Sequence, residues 1–164
     1  MAGLESLRRT PVYNIANALV GVSETRRTVN HGHLIFVGHE GSMTRYMIPM
    51  DGSRADMSAY SRDVAKKLID CEGYEGAMFF DEDGRLKGME MAVDVSLRSG
   101  MKGSHDIFSG YELSNYGIKG GEIGPKFGYA CALTSCDSGI TAIVHSRDKR
   151  VAVIKHGRPI WVYK

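Results

Sequence analysis

The sequence predicts an α/β fold, a mixed central β-sheet with helices on both faces, and three stretches predict it. Val12, Ile15, Leu19 and Val22 recur at helical spacing ahead of the apolar run Leu34-Ile35-Phe36-Val37, which reads as a helix feeding a buried strand. Gly76-Ala77-Met78-Phe79-Phe80 leads through Asp81-Glu82-Asp83-Gly84 into a second strand over 85–95, a hairpin with a strong turn signal. A helix over 126–136 then precedes two strands, over 140–145 and 150–155.

The elements follow in order. Thr10 can cap the free amides of the first helix, and Pro11 loses no bond at the first helical position. Gly32 and Gly38 bound the first strand. A polar connection over 39–54 holds a short edge strand at Tyr46-Met47-Ile48. Asp56 is expected to cap a second helix reaching Asp70, with Tyr60, Val64, Leu68 and Ile69 on its buried face and Gly73 closing it. Periodicity fails over 96–125, where glycine is frequent, and a connection of that length is usually functional or mobile. Gly139 is the expected stop of the third helix, and 159–164 adds an edge strand.

The 164 residues fit a single domain over 1–164, and 43% hydrophobic with 24% charged residues is the balance of a chain that folds. With 21 basic against 19 acidic residues, the net charge of +2 gives no field to gather a nucleic acid polymer, but leaves room for a small anionic ligand. No stretch approaches the roughly 20 apolar residues that cross a bilayer, and residues 1–9 lack a signal-peptide core, so no membrane partner and a cytoplasmic location are expected. Cys71, Cys131 and Cys136 lack Cys-x-x-Cys spacing and are expected as reduced, buried thiols.

Two clusters carry the candidate chemistry. Gly117-Ile118-Lys119-Gly120-Gly121-Glu122-Ile123-Gly124-Pro125-Lys126 is a glycine-rich loop running into a helix. Close backbone amides, a helix N-terminus and lysine charge together suit phosphate. The spacing is neither the P-loop nor the dinucleotide fingerprint, and a plain surface loop reads equally well. Glu75-Gly76-Ala77 puts a carboxylate at the mouth of a central strand, where an acid can hold a divalent metal or take a proton from an attacking hydroxyl; alone, Glu75 also reads as a solvated connector.

The run from Glu75 to Leu86 resembles the Asp-Gly-Ala strand and hairpin of the diadenylate cyclase family, and 124–164 resembles that family's second half. There a Gly-Thr-Arg-His-Arg motif opens an alanine-rich helix, then come an apolar strand ending in serine and a final hairpin. This chain has Gly124-Pro125-Lys126-Phe127-Gly128, then Tyr129-Ala130-Cys131-Ala132-Leu133, then Ile140 to Ser146, then Val151-Ala152-Val153-Ile154 and Gly157. The resemblance implies condensation of two ATP into cyclic di-AMP by facing protomers of a homo-oligomer, with Mg or Mn. By position, Glu75 stands where the family's aspartate helps the metal activate the ribose hydroxyl. Gly76, Ala77 and Gly124 lie near the nucleotide, Lys126 replaces the first arginine on the phosphates, and Ser146 takes the place of the strand-end serine.

The motifs are altered. Glu75 is one methylene longer than aspartate, and Phe127 and Gly128 replace a histidine and an arginine, which removes a bidentate phosphate clamp. Lys119, Lys102 and His105 are expected to supply replacement contacts. A second reading is therefore a domain that has lost catalysis and senses a nucleotide, and a third is nucleotidyl transfer with another base or acceptor.

Other features are set aside. Ser104-His105-Asp106 cannot converge as a triad from consecutive positions. His31 and His33 would need a third ligand to hold a metal, and read rather as a solvated lead-in to the strand; His145 reads as a satisfied core histidine. Met78, Met89 and Met91 fill core gaps, and Tyr111 and Tyr116 are loop tyrosines able to stack on a base.

Overall fold

The computed structural model describes residues 2–26, 28–29, 31–49, 56–72, 76–94 and 125–163. A single turn of helix, α1 (Ala2–Glu5), comes first and has no sequence signal. In α2 (Pro11–Thr25) Thr10 accepts a hydrogen bond from the Tyr13 amide, Pro11 opens the first turn, and Val12, Ile15, Leu19 and Val22 are all buried, as their spacing requires. Strand β1 (His33–Val37) is buried along its whole length.

The polar connection that follows holds more than the expected edge strand. It folds as α3 (Glu40–Tyr46) and then β2 (Met47–Pro49); α3 buries none of its residues, so it has no apolar stripe to read. The next helix, α4 (Val64–Asp70), is shorter than expected, and Asp56 does not cap it. The Ala59 amide donates to the Gly84 carbonyl and the Leu86 amide to the Met57 carbonyl, so residues 57–59 pair with the far hairpin instead of coiling. Val64 and Leu68 are buried as expected, whereas Tyr60 is 49% exposed and Ile69 only half-buried.

The hairpin forms as β3 (Ala77–Phe80) and β4 (Leu86–Val93), and after it come α5 (Pro125–Cys136), β5 (Thr141–His145), β6 (Val151–Lys155) and β7 (Arg158–Tyr163). Past α5 the Asp137 Oδ1 accepts from the Gly139 amide at 2.9 Å, so an aspartate turn, not a left-handed glycine, stops the helix. Cys71 and Cys131 are buried, but Cys136 is exposed, contrary to expectation, because it sits where α5 runs off the sheet. The expected stop Gly73 and the 96–124 connection lie outside the described residues.

The sheet has seven strands in the order β2-β4-β3-β1-β5-β6-β7. It is mixed: β1 and β3 are parallel, and every other neighbouring pair is antiparallel. Alternate residues of the central strands serve opposite faces. Ile35, Val37, Met78, Phe80 and Ile143 pack with Val12, Ile15 and Leu19 of α2 and with Leu68 of α4. Leu34, Phe36, Phe79 and Val144 pack with Phe127, Ala130, Cys131 and Leu133 of α5. Both faces are covered, which explains why these strands read as unbroken apolar runs.

The β3–β4 ladder is irregular. Ala77 pairs with Met91 but Phe79 with Gly88, which leaves Met89 and Glu90 opposite Met78, and Glu90 has φ of 49°. This β-bulge explains how Met89 joins one core and Met91 the other although two residues of a regular strand share a face.

Candidate functional site

The parallel pair begins at one end of the sheet, and that end collects the polar groups. His33 opens β1 and pairs with His145, the last residue of β5. Both point to the α2 and α4 face, where helix ends meet them. The Ser23 Oγ lies 2.9 Å from His145 Nε2, the two Nδ1 atoms are 3.2 Å apart, and His33 Nε2 is 2.7 Å from the Leu68 carbonyl oxygen. The rings are nearly parallel, 4° apart.

Proton counting orients this chain. A carbonyl only accepts, so His33 Nε2 carries the hydrogen and its Nδ1 accepts when the ring is neutral. His145 Nδ1 must then donate, which leaves its Nε2 to accept from the Ser23 hydroxyl. With both rings neutral, each ring nitrogen of His33 and His145 has a matched partner. Burial pushes His145 down to about 4, with His33 beside it acting in the same direction and Glu72 opposing. Burial also lowers His33 against the pull of the Leu68 carbonyl and Glu72. His145 is thus the satisfied core histidine expected, while His33 is buried rather than solvated, since its partner lies 112 residues away and gives no local signal.

Around this pair lies a charged rim. Glu72, buried just past α4, accepts from the Arg26 guanidinium and, at 3.3 Å, from the His31 amide. Lys126, half-buried in the first turn of α5, donates to the His31 carbonyl. Burial lowers its pKa, as does the nearby charge of Arg147, while Glu72 raises it. Gly32 lets the chain pass between His31 and His33: its φ is +68°, and a Cβ there would lie 1.9 Å from the His145 carbonyl oxygen.

Four of the residues singled out from sequence come together at this end. Gly76 (φ 88°) opens β3 beside His33, two register steps before the Ile35 and Met78 pair, and Ala77 is fully buried below it. Ser146 directly follows His145; its amide donates to the Arg150 carbonyl at 2.9 Å and its carbonyl accepts from the Lys149 amide, which sets it at the head of the β5–β6 turn. Lys126 is joined to the same end through His31. Glu75, Gly124 and Lys119 lie outside the described residues, as do Lys102, His105, Tyr111 and Tyr116.

No protein-family model matches the chain, and no curated protein does. The arrangement must speak for itself.

It offers a part-buried cation, a backbone turn at a strand mouth and a buried carboxylate that draws cations inward. Sequence reasoning missed Ser23, Arg26 and Glu72. Ser23 sits four residues after Leu19 on the buried stripe of α2, which was a usable signal; Glu72 and Arg26 gave none, because their pairing joins distant segments. Phe127, which stands where the resembling motif has histidine, is buried in the α5 core. Among the described residues no three His, Cys, Asp or Glu side chains converge as a metal cage, and none of their helices is long and apolar enough to cross a membrane.

Proposed function

We propose that the chain is a nucleotidyltransferase of the diadenylate cyclase type, a cytoplasmic protein that condenses two ATP into cyclic di-AMP. One observation carries the reading: Lys126, at the start of α5, and Gly76-Ala77, at the start of β3, sit at the same end of the sheet, either side of the β1 lead-in. A phosphate against Lys126 and a ribose against the Gly76 turn fit one nucleotide. Phosphoryl transfer depends chiefly on position and charge neutralisation, and Lys126 supplies a part-desolvated charge whose field is strong for that reason.

Mg or Mn would add Lewis-acid stabilisation of the phosphates. The described residues do not form a cage for either ion, and Glu75 lies outside them, so the roles assigned here are those of Lys126 and the strand mouth. Head-to-tail joining of two nucleotides needs two sites to meet, hence a homo-oligomer with facing sites.

Burial of Phe127 in the core favours a second reading, a nucleotide sensor without turnover, because a donor of the resembling motif is spent on packing. Incubation with ATP and Mg or Mn, followed by mass spectrometry for cyclic di-AMP, separates the two. Product that disappears in Glu75→Ala supports the enzyme, and tight binding without product supports the sensor. No nucleotide binding at all discards both. Lys126→Gln keeps a donor for the His31 carbonyl but removes the charge; it is expected to weaken ATP binding by roughly tenfold or more, the worth of a charged hydrogen bond, with Tm unchanged. Equal affinity in the variant would remove Lys126 from the site.

A further inference from the structure

Two cations at this end of the sheet have no carboxylate paired with them among the described residues. Lys126, half-buried, spends its ammonium on the main-chain carbonyl of His31. Arg147 is exposed, and among the described residues no hydrogen bond or ion pair engages it. The acids that could answer them are turned elsewhere. Glu72 accepts from the Arg26 guanidinium and the His31 amide, and Asp148, next to Arg147 in the chain, pairs with Arg150 at 2.9 Å.

The fold brings the two cations together. His31, whose carbonyl holds Lys126, leads into Gly32, and a Cβ on Gly32 would lie 3.5 Å from the Ser146 Cα. Arg147 is the next residue, and its backbone is fixed in a turn by the Ser146 amide on the Arg150 carbonyl and the Lys149 amide on the Ser146 carbonyl. Lys126 feels the result: burial is the first cause of its lowered pKa and the charge of Arg147 the second. Like charges set near one another repel, and an anion between them turns that repulsion into attraction. We infer that Arg147 is the second cation of a phosphate clamp, its guanidinium binding the oxygens of the phosphate that Lys126 neutralises. A guanidinium offers the planar pair of donors that an ammonium lacks, and the chain has lost that pair at Gly128, where the resembling motif has arginine. This inference rests on the reading that Lys126 meets a phosphate, and not on which base the ligand carries.

Calorimetry on the full chain with ATP and with inorganic tripolyphosphate tests it. Arg147→Gln is expected to weaken both ligands by roughly tenfold or more, the worth of a charged hydrogen bond. Arg147→Lys should recover only part of that loss, because it returns the charge without the fork. Thermal melts of both variants should match the wild type, since no described residue depends on the Arg147 side chain for a partner. Unchanged affinity in Arg147→Gln overturns the inference, and so does a loss of affinity that comes with a lowered Tm. If the wild type binds tripolyphosphate but not ATP, and Arg147→Gln abolishes that binding, the clamp stands and the nucleotide reading falls. Binding of neither ligand by the wild type removes both.

Discussion

His145 has no solvent exposure, and its neutrality is a condition of the fold. A second proton on His33 would set N–H against N–H across the 3.2 Å Nδ1 contact, and one on His145 would turn the Ser23 hydroxyl from donor to acceptor while putting a charge in a buried place. The unfolded chain has no such restriction and takes up the proton near 6.5, whereas the folded chain holds it off to about 4. Between those values the unfolded state binds more protons, so stability is full above 6.5 and falls with decreasing pH until it levels near 4. Roughly 3 kcal/mol is lost over that window from His145, and His33 adds in the same direction. Urea midpoints measured from pH 7 down to pH 4 should therefore decline, and a flat profile would contradict the neutral chain. Ser23→Ala should cost about 1–3 kcal/mol at neutral pH by leaving His145 Nε2 an unpaired buried acceptor.

At the scale of elements, two glycines predict opposite outcomes. Gly21 lies inside α2 with nothing within 4 Å of a Cβ placed on it, so Gly21→Ala should stabilise by about 0.5–1 kcal/mol through helix propensity. Gly32 has a left-handed φ and the His145 carbonyl where a Cβ would go, so Gly32→Ala must part the ends of β1 and β5. A loss of at least ~2 kcal/mol is expected, along with weaker protection of the His33 and His145 amides in hydrogen exchange. Thermal melts of the two variants check both signs. The same elements show what a sequence can and cannot announce. A run such as Leu34 to Val37 or Phe79-Phe80 is apolar because both faces of its strand are covered, and α2 has a cap and a stripe. The helix α3 rests on the core only through the partly buried Met43 and Tyr46, too few to read as a stripe, and the expected helix start at Asp56 yielded to cross-strand bonds from Met57 and Ala59, which no local pattern encodes.

For the molecule as a whole, the site was partly legible. Gly76, Ala77, Lys126 and Ser146 stand out in short motifs, each at the beginning or end of an expected element; the start of β3 meets the start of β1 because the two are parallel, and the end of β5 meets it because those two are antiparallel. The groups that complete the polar end of the sheet, Ser23, Arg26 and Glu72, depend on pairings between segments far apart in the chain, which leave no periodic trace. The three cysteines offer a test of this arrangement. Burial raises the pKa of both Cys71 and Cys131, so under native conditions one thiol, Cys136, should react quickly with a disulfide reagent, and all three after unfolding. Fast reaction of a second thiol in the native protein would mean that a core is open, about α5 if it is Cys131 and at the end of α4 if it is Cys71.

The exposed sulfur of Cys136 thus makes the chain its own instrument. Ten residues of helix separate it from Lys126, about 15 Å along the axis of α5. A fluorophore attached there without any engineered substitution stands close enough to sense events at the far end of that rod, yet clear of them.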